Sequence, residues 1–179
     1  MRSFTVFIAS VLIVSTSPAQ LQDALRIGSK APDFTLPGGT KDTILSSGYH
    51  LADWTAKGPV VLAFYPADWS GGCTKEMCLM RDRFTDLGKL GVTVFGISGD
   101  YVFAHHEWAK QLGLPFALLS DHNHAVAKLY ASYAESRGFN LRTVYLIDSH
   151  GMVAYIDPAY STASDASFEK LRDAIGSMR

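Results

Sequence analysis

Residues 60–81, VVLAFYPADWSGGCTKEMCLMR, decide the fold and carry both cysteines of the 179-residue chain. The opening residues of this stretch are apolar and rich in β-branched and aromatic side chains, which predicts a strand covered on both faces. Pro66 ends the strand, and residues 67–72 have the composition of a turn. From Cys73 to Leu87, apolar side chains recur at helical spacing. We therefore expect Cys73 at the N-terminus of a helix.

A thiol in that position is drawn toward its thiolate form. Unpaired backbone N–H groups and the positive end of the helix dipole favour an anion there, and the thiolate is the reactive form of cysteine. Ser70 precedes Cys73 by three residues. Its hydroxyl can cap the helix or hydrogen-bond an oxygen species that meets the sulfur. The pattern indicates a nucleophilic cysteine.

The second cysteine, Cys78, raises the alternative of a plain structural disulfide, since an oxidising compartment tends to pair cysteines. In a regular helix, residues five apart have Cα atoms about 8 to 9 Å apart, whereas a disulfide needs less than about 7 Å. A Cys73–Cys78 bond therefore requires local unwinding of the helix. A bridge that stabilises a fold is rarely placed where it breaks a helix, and geometry thus argues against this alternative.

Pro66, Ser70 and Cys73 match the pattern P-x-x-x-[T/S]-x-x-C, a signature of peroxiredoxins. Residues 73–82, CTKEMCLMRD, resemble the bacterioferritin-comigratory, or Q-type, subfamily. The chain departs from the family in having Ser70 where threonine is commoner and Gly71 where proline is common. Serine keeps the hydroxyl, and the Gly-Gly turn is expected to be looser than Pro-Gly.

The resemblance implies roles for five residues around the first cysteine. Cys73 attacks a peroxide and becomes a sulfenic acid, and Cys78 resolves that acid by forming an intramolecular disulfide. Pro66 shields the thiolate from solvent and shapes the pocket. Ser70, Arg142 and the backbone N–H of Cys73 stabilise charge along the breaking O–O bond. The implied substrates are hydrogen peroxide and small organic hydroperoxides, and thioredoxin or a thioredoxin-like donor reduces the disulfide.

Arg142 begins the segment RTVYLID, where the family places its catalytic arginine. A permanently charged guanidinium with paired donors would favour the thiolate and polarise the peroxide. Without the resemblance, a surface arginine would be the simpler interpretation. Glu76 occupies the family's acidic position, which implies a substrate-binding role, yet the helix dipole alone also favours an acidic residue in a first turn. Arg81 is expected to hold the helix through an ion pair.

The rest of the chain predicts an alternation of strands and helices. The expected elements are a strand at 91–98, a helix at 100–112 capped by Asp100, a strand at 115–121, a helix at 125–133, a hairpin of strands at 142–148 and 152–157, and a helix at 164–178. The strand at 91–98 follows the cysteine helix directly, which predicts a right-handed βαβ unit with parallel strands. The order resembles that of peroxiredoxins and implies an α/β, thioredoxin-like fold with a central mixed sheet flanked by helices. Length predicts one domain at 20–179.

Two segments precede the central strand. Residues 27–37, IGSKAPDFTLP, resemble a peroxiredoxin segment and are predicted to form an extended edge element between prolines. Residues 38–58 are polar and contain glycines, so we expect a loop. Within it, Tyr49, Leu51 and Trp54 are expected to cover the core.

Residues 1–19 have the pattern of a secretory signal peptide. Arg2 supplies the positive charge, residues 4–14 the apolar core, and residues 17–19 a small-x-small cleavage site. The apolar run is shorter than the roughly 20 residues that a membrane-spanning helix needs. The sequence thus predicts an exported protein, periplasmic or secreted. An uncleaved anchor and an irregular start of a cytosolic protein are the alternatives.

The charge balance, 16 Lys and Arg against 17 Asp and Glu, lacks the basic excess typical of proteins that bind nucleic acid or acidic membranes. We expect no nucleic-acid partner and no stable membrane association. An intramolecular resolving pair does not require a dimer, so a monomer or weak dimer is expected. The resemblance implies no metal and no organic cofactor.

Two hypotheses from other classes compete with the peroxidase. Thioredoxin-fold copper chaperones use two cysteines and a distant histidine as soft ligands. The candidate histidines are His105, His106, His122, His124 and His150. The chaperones have C-x-x-x-C, whereas the spacing here is C-x-x-x-x-C, which places the two sulfurs on different helix faces. An exported thiol–disulfide reductase is disfavoured by the absence of C-x-x-C.

In the helix predicted for 100–112, four residues share one face: Phe103, His106, Ala109 and Leu112.

Overall fold

The computed structural model describes residues 25–178, so the signal peptide predicted for 1–19 lies outside the described residues. The strands are β1 (Thr35–Gly39), β2 (Ile44–His50), β3 (Val60–Phe64), β4 (Thr93–Ser98), β5 (Ala117–Ser120), β6 (Tyr133–Ala134), β7 (Phe139–Asn140), β8 (Thr143–Ile147) and β9 (Val153–Asp157). The helices are α1 (Leu51–Thr55), α2 (Gly71–Asp82), α3 (Phe84–Lys89), α4 (Val102–Leu112), α5 (Ala125–Leu129) and α6 (Ala166–Gly176). None of these helices has the length and apolar character needed to cross a membrane.

Seven strands form one mixed sheet in the order β2-β1-β5-β4-β3-β8-β9. β3 pairs with β4 in parallel and with β8 in antiparallel orientation, and all its residues are buried. The predicted central strand, its parallel βαβ partner and the predicted hairpin of β8 and β9 are thereby confirmed. β6 and β7 form a separate two-stranded ribbon that the sequence did not predict.

Successive side chains of β3 point to opposite faces of the sheet and join two different cores. Val61 and Ala63 pack in the cluster that contains Cys73 of α2, Trp108 of α4 and Phe168 of α6. Leu62 and Phe64 belong to the cluster on the other face, with Leu51 of α1 and Tyr130 after α5. Burial on both faces explains why this stretch is apolar throughout rather than alternating.

The loop predicted for 38–58 is wrong, because this range contains the end of β1 and all of β2 and α1. β2 lies at the sheet edge and has no buried residue, so its sequence carries no apolar alternation that would reveal a strand. Glycine lets β1 approach its neighbours closely: a Cβ on Gly38 would lie 2.7 Å from the Leu119 side chain. The prediction that residues 27–37 form an edge element is also wrong for residues 35–37, which belong to β1. This strand pairs with β2 on one side and with β5 on the other, so it is not at the edge of the sheet. Tyr49 and Trp54 do pack against the core, as predicted.

Two helix predictions need correction. The cysteine helix begins at Gly71 and is interrupted at Arg83, so that its last predicted turn is the separate helix α3. Asp100 does not cap α4; the capping position is Tyr101, which makes no side-chain cap hydrogen bond. The Asp100 carboxylate instead accepts hydrogen bonds from the Asp68 backbone N–H and the Ser98 hydroxyl. It thereby ties the loop after β3 to the end of β4.

Candidate active site

Cys73 lies in the first turn of α2, just beyond the carboxyl end of β3, and its side chain is fully buried. Ser70 is the N-cap residue of α2, as its position predicted. Its Oγ accepts a hydrogen bond from the Cys73 backbone N–H at 3.4 Å and donates one to the Ala67 carbonyl oxygen at 3.2 Å. The sulfur thus sits at the positive end of the helix dipole, where an anion is favoured.

Arg142 reaches this sulfur from the neighbouring strand. It immediately precedes β8, whose first residue, Thr143, pairs with Phe64 at the end of β3. The Arg142 Nη2 atom donates a hydrogen bond to Cys73 Sγ at 3.5 Å. A Cβ on Gly72 would lie only 3.2 Å from the same nitrogen, so glycine leaves room for the guanidinium. The structure therefore brings Cys73, Ser70 and Arg142 together, as the family resemblance implied.

Glu76 holds the other side of the guanidinium. Its carboxylate is fully buried, and Oε2 accepts a hydrogen bond from Arg142 Nη1. Burial raises the pKa of Glu76 to about 8, although the adjacent Arg142 opposes this rise. Within residues 25–178, no group donates a hydrogen bond to the second carboxylate oxygen, Oε1. Glu76 thus contacts Arg142, the residue that reaches the sulfur of Cys73.

Arg142 keeps its positive charge in this half-buried site. Burial lowers the pKa of Arg142, but the attraction of Glu76 and Cys73 outweighs that effect, so the pKa is raised. A guanidinium can use its paired nitrogens on two acceptors at once. Here one nitrogen contacts the carboxylate and the other contacts the sulfur. This arrangement stabilises negative charge on Cys73.

Cys78 lies on the same regular helix and is a free thiol, as is Cys73. It is half-buried and lines a groove between α2 and the segment that precedes α6, with Lys75, Thr162 and Asp165. Since α2 runs unbroken through both cysteines, a bond between them requires the helix to open. Arg81 pairs with Asp82 and donates to the Leu112 carbonyl oxygen, which fits its predicted role in holding the helix.

Pro66 is half-buried at the start of the loop that connects β3 to α2. The same loop contains a group of side chains that the sequence did not reveal. The Asp68 carboxylate accepts hydrogen bonds from the Tyr65 hydroxyl at 2.8 Å and from His105 Nδ1 at 2.9 Å. All three side chains are buried.

The face predicted for α4 matches its buried face only in part, which concealed the role of His105. Of the predicted residues, Ala109 is buried and Leu112 packs against the core, whereas Phe103 is 70% exposed. The other buried residues of α4 are His105 and Trp108. The spacing of the buried residues is itself helical, so this face could have been chosen from the position of Trp108. A histidine on it needs buried partners, which Asp68 and the Leu119 carbonyl oxygen provide.

The structure also bears on the copper hypothesis. Both ring nitrogens of His105 take part in hydrogen bonds, so neither is free to bind a metal. Within the described part of the chain, no three His, Cys, Asp or Glu side chains lie together in a way that could hold a metal ion.

Known proteins resemble this chain in sequence and in structure. The AhpC/TSA family matches residues 27–156. A putative peroxiredoxin bcp from Coxiella burnetii is 38% identical over 141 residues, which cover 75% of this chain and 89% of that protein. The chloroplastic peroxiredoxin Q of Oryza sativa subsp. japonica is 41% identical over 131 residues, 72% of this chain but only 57% of the relative. The chain thus spans little more than half the length of such chloroplast relatives.

Among solved structures, the peroxidoxin BcpB from Mycobacterium tuberculosis superimposes with a TM-score of 0.76 at 28% identity. The match covers 87% of this chain and 99% of that one. The predicted α/β thioredoxin-like fold, a mixed sheet flanked by helices, is confirmed.

Proposed function

This chain belongs to the AhpC/TSA family of peroxiredoxins, and on that basis we propose that it is a thiol-dependent peroxidase for hydrogen peroxide and small organic hydroperoxides. The observation that carries the proposal is the hydrogen bond from Arg142 Nη2 to the sulfur of Cys73 at the N-terminus of α2. The guanidinium and the helix N-terminus both lie at this buried thiol. Together they favour its thiolate form and the binding of a peroxide oxygen next to the sulfur.

In the first step, the Cys73 thiolate attacks one peroxide oxygen. The S–O bond forms as the O–O bond breaks, the sulfur is oxidised to a sulfenic acid, and the departing oxygen takes a proton to leave as water or an alcohol. Arg142, the Cys73 backbone N–H and the Ser70 hydroxyl stabilise the charge that develops on the oxygens. Pro66 limits access of water to the thiolate, and Glu76 orients the arginine or contacts the substrate.

In the second step, the Cys78 thiolate attacks the sulfenic sulfur of Cys73. The S–S bond forms, the S–O bond breaks, and the hydroxyl leaves as water. Two thiols of thioredoxin or a thioredoxin-like donor then reduce the disulfide and become oxidised themselves. The two cysteines meet only after α2 has opened, so this step contains a conformational change.

We further propose that the chain is exported and acts as a monomer or weak dimer, with residues 20–179 as its single domain. The charge and small-residue pattern of residues 1–19 supports export. An intramolecular pair of cysteines in one helix supports a site that needs no second copy. No metal or organic cofactor takes part in the proposed steps.

The function is tested with the reduced, metal-free full chain. Hydrogen peroxide is added in measured amounts without a reductant, and both the peroxide consumed and the thiols lost are counted. The proposed steps predict one peroxide consumed and two thiols lost per chain. Failure to consume peroxide would overturn the peroxidase. Consumption that occurs only after copper is added would favour the metal-binding alternative.

A further inference from the structure

The loop that leads into α2 is held by a buried group of hydrogen-bonded side chains. The Asp68 carboxylate accepts from the Tyr65 hydroxyl through one oxygen and from His105 Nδ1 through the other, at 2.8 and 2.9 Å. Tyr65 and His105 are fully buried, and Asp68 is 6% exposed. His105 belongs to α4, so the group joins this loop to a different helix. We call Tyr65, Asp68, Asp100 and His105 the Asp68 clamp.

Both ring nitrogens of His105 have buried partners. Nδ1 lies 2.9 Å from Asp68 Oδ2 and 3.4 Å from the Tyr65 hydroxyl, and Nε2 lies 3.2 Å from the Leu119 carbonyl oxygen. The ring therefore connects the loop of Asp68 to α4 and to β5 through hydrogen bonds in the protein interior.

The backbone on both sides of Asp68 is held as well. The Asp68 N–H donates to Asp100 Oδ2 at 2.9 Å, and the Asp68 carbonyl oxygen accepts from the Ser70 N–H at 2.8 Å. Trp69, between them, has a φ of 62°, a left-handed conformation that a bulky residue rarely adopts. Such a conformation persists only where the surroundings impose it. The clamp supplies these surroundings directly before the N-cap residue of α2.

We propose that His105 is a positioning residue of the peroxidase reaction that acts through Asp68. The clamp holds residues 68–70 so that Ser70 Oγ meets the Cys73 N–H, and it also marks the N-terminal limit of the segment that unwinds when Cys73 bonds to Cys78. This inference rests on the proposed function and deepens it. It implies that the clamp accelerates oxidation of Cys73 and slows disulfide formation, because it stabilises the intact N-terminus of α2.

The test measures these two steps separately in His105→Gln, which removes the imidazole ring and keeps amide hydrogen-bonding groups. Rapid-quench mass spectrometry gives the rate of sulfenic acid formation with hydrogen peroxide and the rate of the disulfide that follows. Misplacement of Ser70 should slow the first step by about tenfold, whereas loosening of the helix should speed the second severalfold. A change of both rates in the same direction, or of neither, would overturn the proposal.

The matched control is His106→Gln, on the next residue of α4. Its ring nitrogen Nδ1 contacts the carbonyl oxygen of Thr40, the residue that follows β1. Both rates should stay at the values of the unsubstituted protein. Asp68→Asn combined with His105→Gln replaces the pair with two amides that can hydrogen-bond to each other, and it should restore the rates toward those values. If the double variant is no better than His105→Gln, the hydrogen bond between these two positions is not the means by which the loop is held.

Two measurements on the reduced, unsubstituted protein need neither peroxide nor a variant. Nitrogen NMR of the His105 ring should show Nδ1 in a hydrogen bond with Asp68, and an Nδ1 without one would overturn the clamp. Hydrogen exchange should show the Cys73 amide protected, and a fully exposed amide would contradict a fixed N-terminus of α2. A failure of the proposed function would appear instead as an unsubstituted protein that does not consume peroxide, which leaves these two results intact.

Discussion

Arg142 Nη2 lies 3.5 Å from Cys73 Sγ, although the two residues are 69 positions apart in the chain. The contact is a consequence of strand pairing, because Arg142 precedes β8 and Cys73 follows β3 on its neighbour. The guanidinium of Arg142 and the thiol of Cys73 therefore lie beyond the same end of this central pair of strands.

Replacing Cys73 with serine should abolish peroxide reduction. The helix N-terminus and Arg142 favour a thiolate, but the same surroundings cannot ionise a hydroxyl at neutral pH. Cys78→Ser is the control, since it should still react once with peroxide and stop at the sulfenic acid. Steady-state peroxide consumption and intact mass measure the two outcomes. Substantial turnover by Cys73→Ser would show that the nucleophile is elsewhere.

Arg142→Lys should slow the oxidation of Cys73 by about a hundredfold, the effect typical of losing one donor to developing charge. An ammonium keeps the charge but is a single point, so it cannot contact Glu76 and the sulfur through a planar fork. Stopped-flow measurement of the reduced protein with hydrogen peroxide gives the rate. An unchanged rate would make Arg142 a structural residue.

Glu76 should make the reduced protein less stable as the pH rises. Because burial raises the pKa of Glu76 from 4.5 to about 8, the folded state holds a proton that the unfolded state has lost between these values. Stability is therefore fully present below the unfolded pKa and falls by up to about 1.4 kcal/mol per pH unit between them. Urea unfolding of the unsubstituted protein and Glu76→Gln should show that extra slope only in the former. Parallel pH profiles would contradict the raised pKa.

The position of Cys73 could be predicted from local sequence, because an apolar strand, a turn and a helical pattern each leave a mark within a few residues. The same holds for Ser70, whose distance from Cys73 is that of an N-cap from its third helical residue. Arg142 could not be placed by such reasoning, since its contact depends on which strand pairs with β3. Only the family resemblance indicated it.

Two errors arise because sequence periodicity detects apolar faces only. β2 has no buried residue, so its sequence shows no apolar face, whereas His105 is a buried polar residue that Asp68 satisfies. Asp68 and His105 are 37 positions apart, and their contact is visible only once the loop and α4 are in place.

The exported protein is predicted to begin near Gln20, since the small residues before it form the cleavage site. N-terminal sequencing of protein recovered from the envelope or the medium of the producing cells measures this. The full chain retained in the cytoplasm serves as the reference. Envelope protein that still begins at Met1 would indicate an uncleaved anchor instead.

Oxidation should open α2. In the reduced protein, the helix runs from Gly71 to Asp82 and carries both thiols, too far apart to bond while it is regular. A Cys73–Cys78 disulfide can form only in the unwound segment and then keeps it unwound. Hydrogen exchange at the amides of residues 74–80 should therefore lose protection on oxidation, whereas Cys78→Ser, which forms only the sulfenic acid, should keep it. Unchanged protection with the disulfide confirmed by mass would show that the cysteines do not share a regular helix.

Gly71→Ala tests the same opening from the opposite side. A Cβ at Gly71 would meet no atom within 4 Å, so alanine fits there without strain. Alanine stabilises a helix relative to glycine by up to about 1 kcal/mol, which corresponds to a slowing of disulfide formation by up to about fivefold. Oxidation of Cys73 should be unaffected, because Gly71, unlike Gly72, does not face Arg142. Since slower resolution leaves the sulfenic acid exposed to a second peroxide, Gly71→Ala should also accumulate more sulfinic acid at high peroxide. Equal disulfide rates in the two proteins would mean that unwinding of this end of α2 does not limit the second step.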